Sequence, residues 1–264
     1  MSVSGAFEKA RADDRAALVG YLPAGFPTVD DGIVALRAMV DAGCDVIEVG
    51  LPYSDPVMDG PTIQAAAQRA LDGGVRTRDV LRTVEAVAAT GTPTLVMTYW
   101  NPIDRYGVER FAADLANAGG AGLITPDLTP DSGQAWIDAA DGHDLDKVFL
   151  IAPSSTDERI ALTTAACRGF VYAAAVMGVT GARATTSDLA GPLVARAKAV
   201  TETPIAVGLG VSTGDQAAEL AAYADGVIVG SAFVRCLLDH DDSAMALGAL
   251  TALTGDLAEG VRRA

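Results

Sequence analysis

Basic residues, histidines, cysteines and aromatic side chains are all scarce in this 264-residue chain, and each scarcity removes a class of function. Only 19 Lys and Arg stand against 34 Asp and Glu, a formal net charge of −15, which disfavours nucleic acid and anionic membrane as partners. The two histidines, His143 and His240, lie in polar, acidic stretches. A histidine-based triad or a His-rich metal site is therefore not expected, and no metal is assigned. The three cysteines, Cys44, Cys167 and Cys236, have no metal-ligand or redox spacing and fit a reducing cytoplasm. No run reaches the roughly 18 apolar residues that span a bilayer. The opening stretch, MSVSGAFEKARADDR, contains no apolar core segment, so no signal peptide is expected.

What the chain does have is small apolar side chains. Half its residues are hydrophobic and only 5% aromatic, the bulk being Ala, Val and Leu, which suits helices packed closely on a parallel sheet. Eight short apolar runs recur, at 17–22, 45–50, 94–99, 121–125, 147–151, 169–174, 204–208 and 226–230. Helix-like stretches fill most intervals, among them 29–42, 77–89, 108–118, 157–166, 187–200 and 214–222, and 244–261 closes the chain. Thr77 precedes an amphipathic run, and Ser155-Thr156-Asp157-Glu158 reads as an N-cap followed by acidic residues. Strand alternating with helix means a parallel sheet, and eight units without a composition break favour a closed (β/α)8 TIM barrel over an open doubly wound sheet. The expected organisation is one barrel domain over 1–264 with an extra N-terminal helix. In such a barrel the chemistry sits where strands end and βα loops begin.

The second unit, IEVGLPYSDPVMDGPTIQ, meets that requirement. Side chains alternate along a strand, so Val46, Glu48 and Gly50 share one face and Ile47 and Val49 the other. Ile47 and Val49 suit the helix-facing side, which turns Glu48 inward at the barrel mouth. A desolvated carboxyl there has a raised pKa and can donate a proton near neutrality. The alternative is a Glu paired with a basic residue on a neighbouring strand, and no inward-facing Lys or Arg is visible at the strand ends. Asp59 follows in a Gly/Pro-bounded loop; as residue pattern alone it is either a second carboxylate of the site or a turn former. Asp55, between Ser54 and Pro56, reads as loop structure or a contact surface. No strand ends in a Lys, which disfavours Schiff-base chemistry.

The last three units end in glycine-rich strings: FVYAAAVMGVTGAR, PIAVGLGVST and GVIVGSA. Glycine lets bare backbone approach a ligand, and N–H groups at a helix start can hold an anion without a lysine cluster. Gly210, Gly230 and Ser231, with Gly181 from the sixth loop, form a candidate phosphate site. The competing reading is that glycine ends strands because turns need it.

At this point the residues resemble a family. EVGLPYSDPVMDGPTIQ is very similar to the signature of tryptophan synthase alpha subunits, and LVGYLPAGFP, LVMTYWNP, AGLITPDL, MGVTGAR, AVGLGVST and IVGSA match in order along nearly the whole chain. The resemblance implies retro-aldol cleavage of indole-3-glycerol phosphate to indole and glyceraldehyde 3-phosphate. Glu48 falls on the general acid/base and Asp59 on the carboxylate that answers the indole N–H. Tyr172 falls near the reacting centre, Tyr21 and Met97 on indole-pocket positions, and Gly181, Gly210, Gly230 and Ser231 on the phosphate site. Thr180 falls in a lid that meets Asp59 on closure. The resemblance also implies a beta subunit carrying pyridoxal phosphate, an α2β2 assembly and passage of indole between subunits, with no cofactor in this chain. The Tyr53–Met58 loop and the segment near Asn101 and Pro102 would face that partner. Leu209, the small apolar run from Ala173 to Met177, and Trp100 depart from common family residues and bear on pocket shape and lid contacts. A stand-alone lyase, another phosphate-sugar barrel enzyme and a non-catalytic allosteric barrel are the rival readings.

Overall fold

The computed structural model describes residues 2–174, 187–208 and 210–263. Its strands are β1 (Ala17–Pro23), β2 (Val46–Gly50), β3 (Thr94–Met97), β4 (Gly122–Ile124), β5 (Asp146–Val148), β6 (Leu150–Ile151), β7 (Val171–Ala174), β8 (Ile205–Gly208) and β9 (Gly226–Val229). All pair in parallel, in the order β5-β4-β3-β2-β1-β9-β8-β7-β6. The two ends of that order, β5 and β6, follow one another in the chain around Phe149. They are halves of one strand, so the sheet closes into an eight-stranded barrel. Phe149 stays in the ladder on one side, its carbonyl accepting from Tyr172 N at 3.2 Å.

Alternation sorts the side chains into two cores. Val19, Val46, Leu95, Ile124, Val148 and Ile228 fill the barrel. Leu18, Ile47, Val49, Val96, Leu123 and Val207 face outward to the helices. The helices are α1 (Ser4–Ala12), α2 (Val29–Ala42), α3 (Pro61–Asp72), α4 (Thr77–Ala88), α5 (Trp100–Tyr106), α6 (Val108–Asn117), α7 (Gln134–Gly142), α8 (Asp157–Ala166), α9 (Ser187–Lys198), α10 (Gly214–Ala221), α11 (Ser231–Leu238) and α12 (Ser243–Gly260). Local chemistry starts several of them: Thr28 accepts from Asp31 N, Thr156 from Arg159 N, and Thr213 from Gln216 N, each satisfying a first-turn donor.

The end of the barrel away from the strand termini is closed by α1. Val3, Phe7 and Ala10 join the interior core, and the Phe7 ring lies 5.3 Å from that of Phe170. The fully buried Asp146 carboxylate anchors this helix. It accepts from Val3 N at 2.8 Å and Ser2 Oγ at 3.0 Å, and Arg168 Nε donates to it at 3.0 Å. Among the described residues, no helix is long and apolar enough to cross a membrane.

Candidate active site

The mouth of the barrel is built from the last inward positions of the strands. Glu48 points in from β2, on the same face as Val46, and is 0% exposed. Among the described residues, neither carboxyl oxygen has a hydrogen-bond partner. Burial without compensation pushes its pKa up to about 8, because the charged form would lose its hydration for nothing in return. A neutral carboxylic acid at the working pH is thus the state this position favours.

Tyr21 stands beside it, paired in register with Glu48 across the β1–β2 ladder. Its ring crosses the α-carbon of Gly50, where an added Cβ would lie 2.3 Å from the phenol oxygen. Tyr172 does the same over Gly208 on the opposite wall, with 2.4 Å to its own oxygen. Bare backbone at Gly50 and Gly208 is what makes room for the two phenols. Burial, and then the nearby carboxylates Asp59 and Glu48, raise both tyrosines above their ordinary range, so both remain neutral donors. Met97 ends β3, paired with Gly50 on one side and Ile124 on the other, and packs on the interior core.

Asp59 reaches the site from the loop between β2 and α3. Pro61 starts α3 and Gly60 caps it, which fixes where that loop must end. Partial burial raises the Asp59 pKa, and a hydrogen bond from Tyr99 Oη to Oδ1, 3.2 Å long, opposes the rise. Asp55 is exposed and bonded to Ser54 Oγ, consistent with loop structure.

Gly230 caps α11 and Ser231 is its first residue, so the first-turn N–H groups of α11 open beside the end of β9. A Cβ on Gly230 would approach the Tyr21 ring at 3.3 Å, and φ is −126°, so space rather than backbone strain selects glycine there. Gly210 differs: φ is +69°, no described residue would crowd a Cβ there, and the turn itself needs glycine. Thr180, Gly181 and Leu209 lie outside the described residues, as does the end of the Ala173–Met177 run. Trp100 begins α5, its N–H donating to Asp127 Oδ1 at 2.8 Å. Among the described residues, no group of three or more His, Cys, Asp and Glu is placed to hold a metal ion.

One polar residue of the site was not singled out from the sequence. Tyr99, 5% exposed, lies two residues past the end of β3 and touches the loop that carries Asp59. The rule that unusual residues fall just after strands would have found it in LVMTYWNP.

The family model described as tryptophan synthase alpha chain matches residues 7–262. The chain belongs to that family. The tryptophan synthase alpha chain of Acidothermus cellulolyticus is 61% identical over 262 residues, covering 99% of this chain and 97% of the relative. That of Salinispora arenicola is 62% identical over 257 residues, with 97% and 96% covered. Among solved structures, tryptophan synthase from Mycobacterium tuberculosis superposes with a TM-score of 0.91 at 57% identity, with 98% of each chain covered. The tryptophan synthase alpha subunit of Legionella pneumophila retains a TM-score of 0.90 at only 30% identity, covering 99% of this chain and 98% of its own. Against this family background the fold is a TIM barrel, and the chain is an enzyme subunit.

Proposed function

We propose that this chain is the alpha subunit of a tryptophan synthase, a carbon–carbon lyase that cleaves indole-3-glycerol phosphate to indole and glyceraldehyde 3-phosphate. The observation that carries the reading is the Glu48 carboxyl: fully buried at the mouth, both oxygens without a partner among the described residues, and its pKa pushed up to about 8 by burial. In the cleavage Glu48 gives its proton to indole C3, which breaks the aromaticity of the five-membered ring and weakens the C3–C3′ bond. Asp59 accepts the hydrogen of the indole N–H, where positive charge develops. The ionised Glu48 then takes the proton of the C3′ hydroxyl as the C3–C3′ electron pair returns to the ring, and the aldehyde departs. Two carboxyls in different environments divide these tasks. Tyr21, Met97 and Tyr172 would wall the indole. Gly181, Gly210, Gly230 and Ser231 would hold the phosphate end, whose binding energy is available for closure over the substrate, with Thr180 meeting Asp59 as the site closes.

The reading assigns the chain to the cytoplasm and to a partner. Mycobacterium tuberculosis tryptophan synthase has been solved in an aminoacrylate-bound form, and its matching chain is 55% identical to this one. That supports a complex with a beta subunit here; the α2β2 assembly, pyridoxal phosphate in the beta subunit and passage of indole to it are what the family resemblance implies. Val57 and Met58, 79% and 48% exposed on the Asp59 loop, are apolar surface of the kind such a subunit would cover. Indole release from indole-3-glycerol phosphate by the purified chain, with and without a beta subunit, tests the proposal. Release that the partner accelerates supports it. Release indifferent to a partner favours a stand-alone lyase, and no release in either case favours a non-catalytic barrel.

A further inference from the structure

Asp59 sits on an irregular loop, yet a carboxylate that must meet an indole N–H has to be held to a fraction of an ångström. The loop's own backbone offers little: Gln64 Nε2 donates to the Asp59 carbonyl at 2.7 Å from α3. The stronger hold comes from the neighbouring unit. Tyr99 Oη accepts the Met58 N–H at 2.9 Å and donates to Asp59 Oδ1 at 3.2 Å, so one hydroxyl fixes two consecutive residues. The Tyr99 ring is itself held, with its centroid 5.3 Å from that of Tyr53 on the Asp59 loop. Asn101 Nδ2, from α5, donates to Tyr53 Oη at 3.1 Å. The two loops are therefore clasped by a tyrosine from each, and the α5 end is fixed by Asp127.

We propose that Tyr99 is the positioning residue for Asp59: its hydroxyl sets where the carboxylate stands and favours the ionised form. This deepens the reading above and rests on it for the role of Asp59. The direction of the hydrogen bond matters. A donated O–H stabilises the carboxylate more than the neutral acid, so it works against the burial that raises the Asp59 pKa. The phenol is pushed up to about 12, so it stays a donor across the range in which an enzyme works.

The test is Tyr99→Phe, which keeps the ring on Tyr53 and removes the hydroxyl, and Asn101→Ala, which loosens Tyr53. In Tyr99→Phe, kcat for indole release falls about tenfold or more, the size expected for one hydrogen bond to a charged group, while KM changes less. The acidic limb of the pH–rate profile moves to higher pH, since Asp59 then binds its proton more tightly. Asn101→Ala moves both in the same direction and by less. In an Asp59→Asn background, Tyr99→Phe adds almost nothing, because its effect passes through that carboxylate. Unchanged kcat and limb, or losses that multiply in the double variant, would overturn the inference. Carboxyl NMR titration of Asp59 decides the same point without turnover: its pKa rises in Tyr99→Phe or the inference fails. A wild-type chain that releases no indole would sink the functional reading, and the titration would still judge the clasp.

Discussion

Tyr21 and Glu48 are cross-strand partners at the mouth of the barrel, a phenol beside a carboxyl that bonds to none of the described residues. Despite that pairing, no described side chain shares the Glu48 proton. An acid already bonded to a neighbour would have to break that bond before protonating a carbon, whereas this one is free to meet the substrate.

Glu48→Gln keeps the shape and removes the titratable proton. Its kcat should fall by at least about 100-fold, roughly 3 kcal/mol, with phosphate affinity retained. In the wild type, kcat/KM should decline as pH passes about 8, where the free enzyme loses the acid form. Steady-state kinetics across that range check both, and a variant with near wild-type turnover would remove Glu48 from the chemistry.

The same substitution should stabilise the fold. Glu48 titrates near 8 when folded and near 4.5 when unfolded. Between those values the native chain binds more protons than the unfolded one, so stability falls as pH rises through the window. Glu48→Gln should therefore raise the unfolding free energy by a few kcal/mol at pH 8, and the gain should fade toward pH 4.5. Denaturant titrations of both proteins at several pH values measure it; a pH-independent difference would mean the carboxyl is not desolvated.

Gly230→Val places branched carbons against Tyr21 and beside the opening turn of α11. KM should rise at least about tenfold, with kcat less affected and Gly230→Ala intermediate. An unchanged KM would locate the phosphate elsewhere.

Asp146→Ala strips the N-terminal helix of its anchor. Losing a buried carboxylate with three donors should cost about 3 kcal/mol. The urea midpoint should drop while kcat at a temperature below unfolding stays near wild type. An unaltered midpoint would show that apolar packing alone seats α1.

The barrel was legible because its strands are unbroken apolar runs. Each of the eight runs contains its observed strand or overlaps it, and the helix bounds 29–42 and 157–166 coincide with α2 and α8. The inward turn of Glu48 followed from simple alternation. The pause at Phe149, which divides the fifth strand into β5 and β6, has no mark in the local pattern because the apolar run continues through it. Helices α3, α5, α7 and α11 were not picked out individually. For α5 the reason is physical: its first N–H is capped by Asp127, a residue 27 positions later on another loop, and Pro102 near its start gives the segment a turn-like appearance. Tyr99 escaped notice for the same reason, since its bond to Asp59 spans 40 positions. Contacts between consecutive βα loops are created by closure of the barrel, and no local window contains both partners.

The helix that plugs the N-terminal end gives the molecule the form of a cup with one rim. With Phe7 packed against Phe170 and Asp146 gripping the start of α1, the floor is filled by buried side chains. The opening lies at the other end, where Val57 and Met58 are exposed on the Asp59 loop. On the proposed reaction, an aromatic product is released toward the loop end of the barrel, the end a second subunit would have to cover to receive it.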